Sequence, residues 1–167
     1  MIMEVTIRPA GISDLAAILD IVNYSIIHTT ANYNYEPQRL EDQFTWFEEK
    51  QSKNYPLLVA DINGKAIGFS SYGKFREKIG YQFTVEHSVY VAEEHIGKGI
   101  GKLLLAKLIQ IAKEQDYHTM IGGIDASNAA SIAFHEKFGF TECGVIREAG
   151  FKFGRWLDLL FMQLVLK

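Results

Sequence analysis

The chain has 167 residues, 48% of them apolar and 13% aromatic, with 17 basic and 20 acidic side chains. That length makes one domain, residues 1–167, large enough to bury a core without disulfide or metal support. A net charge of −3 excludes the broad basic face on which non-specific nucleic-acid binding depends.

The lone cysteine, Cys143, forms no intramolecular disulfide, and the absence of CxxC and HExxH leaves no zinc pattern. Residues Met1 to Pro9 carry Glu4 and Arg8 where a signal core would be apolar. No apolar run reaches the roughly 18 residues that span a membrane. The expected location is the cytoplasm, with no nucleic-acid or membrane partner and no bound metal.

Val5-Thr6-Ile7-Arg8 alternates as a short strand. Ser13 or Asp14 caps a helix whose apolar positions Leu15, Ile18, Leu19 and Val22 recur at helical spacing and fade near Ile27. Thr29 to Pro37 is a polar loop, and Glu41 to Gln51 is a second helix. Leu57 to Asp61 and Lys65 to Tyr72 are strands joined by the hairpin dipeptide Asn63-Gly64. Tyr81 to Val91 is the third strand of this antiparallel meander. The period then changes: Ile100, Leu103, Leu104, Leu108 and Ile111 line one face of a helix ending near Gln115. Met120 to Ile124 is a buried strand. Asn128 to Phe138 is a helix capped by Asn128 or Ser127 and stopped by Gly139. Phe140 to Arg147 and Trp156 to Leu166 close the chain as antiparallel strands. The fold class is mixed α/β: about seven mostly antiparallel strands with four helices on both faces.

The most informative segment is Ile96-Gly97-Lys98-Gly99-Ile100-Gly101-Lys102, between a strand and the most amphipathic helix. Glycines let the backbone turn and a ligand approach closely, and the following helix start offers free N–H groups to an anion. Lys98 and Lys102 add mobile positive charge. A P-loop is excluded, because Ile96 stands where its first glycine belongs and Leu103 where its Ser or Thr belongs. A dinucleotide fingerprint is disfavoured, since the spacing is GxGxG and the motif follows a meander.

Strand, glycine loop and long helix in this order resemble the coenzyme A motif of the GNAT N-acetyltransferases, Arg/Gln-x-x-Gly-x-Gly/Ala. Its glycines fall on Gly99 and Gly101, and Ile96 departs from the Arg/Gln position. Asn128, Ala133, Lys137, Gly139 and Phe140 resemble the family's next helix. Within the superfamily, Thr84-Val85-Glu86-His87-Ser88-Val89-Tyr90-Val91, Phe134-His135-Glu136 and Ala149-Gly150-Phe151-Lys152 are similar to the phosphinothricin N-acetyltransferase group. The resemblance implies acetyl-CoA as cosubstrate and the amino group of a small amino acid or analogue as acceptor, attacked directly in a ternary complex. It also implies a homodimer.

Acetyl transfer from a thioester needs a deprotonated amine, a stabilised oxyanion and a leaving thiolate. Glu86 is the candidate base, its pKa raised by partial burial. His135 is the candidate acid toward the thiolate. His87 points to the face opposite Glu86 and is structural. The resemblance gives Val89, Tyr90 and Val91 to the thioester and pantetheine, Gly97 to Lys102 to the pyrophosphate, and Asn128 to the cofactor or to a helix cap. Arg76 suits an anionic group of the acceptor through bidentate hydrogen bonds. Lys78, Gly80 and Gln82 replace the second Arg, the Ala and the third Arg of the family run, so Lys78 is the remaining cation there. Phe83, Tyr33 and Tyr35 are candidate pocket walls. Cys143 is a small filler. The alternatives are a non-catalytic acyl-CoA-binding module and a transferase acting on a polyamine or peptide.

Overall fold

The computed structural model describes residues 4–167. The strands are β1 (Thr6–Pro9), β2 (Leu57–Ile62), β3 (Lys65–Lys74), β4 (Thr84–Val91), β5 (Thr119–Asp125), β6 (Thr141–Lys152) and β7 (Arg155–Val165). The helices are α1 (Leu15–His28), α2 (Leu40–Ser52), α3 (Ile100–Glu114) and α4 (Ala129–Glu136). One seven-stranded sheet runs β1-β2-β3-β4-β5-β7-β6. Every neighbouring pair is antiparallel except β4 and β5.

Strand alternation divides the core into two layers. Leu57, Val59 and Phe69 pack with Leu15, Ile18, Val22 and Phe47 of α1 and α2. Leu58, Ala60, Ile67 and Val85 pack with Leu104, Leu105 and Leu108 of α3 on the other face. Asn63 and Gly64 both have positive φ, 53° and 85°, which is the two-residue turn that matches strand twist.

Several boundaries differ from expectation. Asp14 stands at the N-cap of α1, but its side chain makes no cap hydrogen bond to the helix. Its carboxylate accepts from the Gly11 N–H at 2.8 Å and from Arg8, which also reaches Asp61 and ties the start of α1 to β1 and β2. The strand expected from Tyr81 begins at Thr84, because Ile79 to Tyr81 closes a short 3-10 turn. β6 continues five residues past the expected Arg147, to Lys152. Its pairing shifts register around Ile146 to Gly150, so Ala149-Gly150 carries an irregularity through the strand and does not end it. Among the described residues no helix is long and apolar enough to cross a membrane.

Candidate active site

The site is built where β4 and β5 part. Their pairing covers only Thr84 to Glu86. The Phe83 carbonyl accepts from the His118 and Thr119 N–H groups on the β5 side, whereas the Thr84 carbonyl accepts from Phe75 on the β3 side. Backbone polar groups of a strand alternate sides, so His87, Val89 and Val91 aim theirs toward β5, which has already turned away. Val89 and Val91 therefore present amides to an open gap. Their pairing with β3 is continuous and carries no bulge; the opening comes from the departure of β5. The Tyr90 amide faces β3, its ring stacks on Phe69, and the residue borders the cavity.

The gap forms a cavity of about 570 Å³ bordered by Glu86, His87, Val89, Asn128 and His135. A second cavity of about 740 Å³ adjoins it, between α1, the end of β4, the start of α3 and the end of α4. Gly97, Gly99, Ile100, Gly101 and Lys102 line this groove. Gly99 caps α3 at φ 81°, a left-handed conformation that a side chain would strain. The first N–H groups of α3 have no partner within the helix, and its dipole favours an anion there. That cradle fits a pyrophosphate, and the Val89 and Val91 amides fit an amide-bearing arm. Lys98 lines neither cavity, while Ile96, 63% exposed, borders both. Lys137 and Phe138 of the α4 end, and Tyr24 and Ser25 of α1, also line the groove. Sequence reading did not assign them; Lys137 had a signal in the motif that carries it, the α1 residues had none.

Glu86 and His87 stand on opposite faces, as alternation requires. Glycines on β5 make room for both. A Cβ at Gly123 would lie 3.2 Å from Glu86 Oε1, and one at Gly122 would lie 3.1 Å from His87 Nε2. Glu86 is half-buried, and burial pushes its carboxyl above the ordinary range while nearby Arg76 draws it partly back. The Arg76 guanidinium lies 4.2 Å from the centre of the Phe75 ring and donates to the Phe75 carbonyl at 2.8 Å. Lys78 and Phe83 are exposed and, like Arg76, border neither cavity. Tyr35 donates to the Phe151 carbonyl and also lies outside them, while Tyr33 borders the main cavity. Asn128 caps α4, its Oδ1 accepting from the Ser131 N–H at 3.0 Å, and it borders the cavity as well.

The two histidines form a hydrogen-bonded pair in which His87 Nδ1 is buried without a partner. His135 Nδ1 lies 2.7 Å from the Ser131 carbonyl and His135 Nε2 lies 3.1 Å from His87 Nε2. A carbonyl only accepts, so Nδ1 carries the hydrogen. In the neutral ring Nε2 is then an acceptor, and His87 donates to it. His87 is pushed down to about 3 by burial and by His135, and burial also lowers His135. The pair is therefore neutral at pH 7. In this tautomer His135 Nε2 carries no hydrogen, so to serve as an acid toward a thiolate the pair must first take up a proton.

A parallel split feeding a glycine-capped helix defines an acyl-CoA-dependent transferase site. The chain matches the acetyltransferase (GNAT) family over residues 22–140 and belongs to it. A methionine sulfoximine/methionine sulfone acetyltransferase of Salmonella typhimurium is 45% identical over 161 residues, 96% of this chain and 94% of that one. A phosphinothricin N-acetyltransferase of Streptomyces viridochromogenes is 36% identical, covering 95% of this chain and 86% of that one. A Salmonella typhimurium acetyltransferase structure with acetyl-CoA has a TM-score of 0.95 at 45% identity, covering 98% of this chain and 94% of that one. The chain is an acetyl-CoA-dependent N-acetyltransferase with the expected seven-stranded mixed fold.

Proposed function

We propose that the acceptor is the α-amino group of a small amino acid or analogue of the methionine sulfoximine or phosphinothricin type. The observation that carries the mechanism is the shared opening: the Glu86 carboxylate and the free Val89 amide border one cavity. Glu86 takes a proton from the ammonium, directly or through a water. The nitrogen lone pair forms a bond to the thioester carbon, and the Val89 N–H donates to the oxyanion. The carbon–sulfur bond then breaks, and sulfur leaves with its electron pair. The second proton of the amine goes to solvent, and the thiolate takes one from solvent or from a histidine pair that has first taken one up. Arg76, close enough to depress Glu86, is suited to the acceptor's acidic group. Lys78, Phe83 and Tyr35 remain candidates for an outer rim.

The test is thiol release from acetyl-CoA against methionine sulfoximine, methionine sulfone, phosphinothricin, common amino acids, polyamines and peptides. Release with amino-acid analogues supports the reading. Release only with polyamines or peptides refutes the acceptor class. Binding of acetyl-CoA without release refutes the catalytic assignment.

A homodimer belongs to the same proposal. β6 is exposed along nearly its whole length, and Val145, Ile146, Phe151, Phe153 and Trp156 present apolar surface around its hairpin. Light scattering at the monomer mass would refute it. The cytoplasm is the proposed compartment, matching the exposed free thiol of Cys143.

A further inference from the structure

A third cavity, about 320 Å³, lies on the α1–α2 face of the sheet and shares Ser88 and Tyr90 with the main one. Glu86, Ser88 and Tyr90 alternate onto this same face, with about 7 Å between successive members. A side chain of methionine length, leaving an amine held between Glu86 and Val89, reaches that far. The recess walls are Trp46, Phe69 and Tyr90 on the apolar side. Its one ionisable carboxylate, Asp42, is already engaged by the Arg39 backbone N–H at 2.7 Å. No lysine or arginine lines it, so it offers no cation to the acceptor's carboxylate.

Gln43 gives the recess its chemistry. It is 3% exposed, and its Nε2 donates to Gln38 Oε1. In this arrangement the Gln43 Oε1, buried at the recess, has no partner. A buried acceptor left unmade is costly, and a ligand that supplies a hydrogen removes the cost. We propose that this recess receives the acceptor's side chain and that the Gln43 carbonyl selects side chains ending in an N–H or O–H donor. The inference rests on the amino-acid reading above and, within it, favours a sulfoximine over a sulfone or a phosphinate, whose side chains end in acceptors only.

A sulfoximine and a sulfone differ at one atom, an S=N–H donor against an S=O acceptor. With methionine sulfoximine and methionine sulfone as acceptors, the wild type is expected to favour the sulfoximine several-fold in kcat/KM, mainly through KM. In Gln43→Met, which keeps the volume, the preference falls to about one, with KM for acetyl-CoA unchanged. An equal or reversed preference in the wild type, or one that survives in Gln43→Met, overturns the proposal. A Glu86→Gln, Trp156→Phe protein leaves Trp46 as the only tryptophan and separates the two readings. Its fluorescence should still respond to methionine sulfoximine in the presence of coenzyme A, although turnover is lost. No response overturns the recess assignment. Failure of thiol release in the wild type with this response intact overturns the catalytic reading alone.

Discussion

Glu86 combines a position on the cavity with a carboxyl that burial holds above its ordinary range. A base works only when deprotonated, so kcat/KM should fall as pH drops through that raised value. Removing the Arg76 charge should push Glu86 up further and move the acid limb to higher pH, which a pH–rate profile of Arg76→Ala reads directly. Glu86→Gln should lower kcat by about 10²–10⁴-fold and leave acetyl-CoA affinity nearly intact; unchanged turnover removes Glu86 from the chemistry. The histidine pair predicts a specific tautomer at each ring. Long-range nitrogen NMR at pH 7 should find hydrogen on His135 Nδ1 and His87 Nε2. A hydrogen on His135 Nε2 would restore it as a direct donor. Sequence showed that His87 and Glu86 face opposite ways, because alternation is local. It could not show the meeting of His87 and His135, 48 residues apart, which depends on how α4 lies against the sheet.

The elements that sequence placed best are those whose signals are local. The Asn63-Gly64 hairpin and the existence of α3 are written in adjacent residues, although the stripe of α3 is turned from expectation: Leu103 is exposed, and Leu105 and Ala112 join Ile100, Leu104 and Leu108 in the core. The split between β4 and β5 is not. β5 pairs with β7 over its whole length, Thr119 to Asp125, and with β4 only as far as Ile121. The last strand inserts beside β5 and holds it away from β4, so the catalytic opening is a consequence of topology. Gly122 sits just past the last β4–β5 pair. A Cβ there would lie 3.1 Å from His87 Nε2 and 3.2 Å from His135 Nε2, tighter than carbon–nitrogen contact allows without movement. Gly122→Ala should therefore displace the pair and disturb the cavity on the α4 face. The expected result is a fall in kcat with a loss of about 1–3 kcal/mol in stability. Wild-type kinetics in a protein of normal Tm would show that the ring positions do not matter to turnover.

At the scale of the whole molecule, one buried charge joins the β6–β7 hairpin to the loop that walls the active site. Lys152 is 4% exposed, and its ammonium donates to the carbonyls of Ile26 at 2.6 Å, Thr29 at 2.8 Å and Asn32 at 2.5 Å. Three donors meet three acceptors, and the C-terminal end of α1 adds the negative side of its dipole. Beside it, the Tyr33 ring occupies the space that a Cβ at Gly150 would need, 2.4 Å from Tyr33 Cε2. Thr29, Thr30, Ala31 and Tyr33 in turn border the two main cavities. No pattern in the sequence announced this, since Lys152 lies more than a hundred residues from the carbonyls it holds. Lys152→Met removes the donors and leaves carbonyls unsatisfied, at a cost of about 2–4 kcal/mol. Well below the variant's Tm, KM for acceptor and for acetyl-CoA should both rise. kcat should change less, because Glu86 and Val89 stand on β4, which Lys152 does not touch. If Tm drops while both KM values stay put, the loop holds its own shape and the lysine serves only stability. A rise in both ties the far hairpin to the walls of the site.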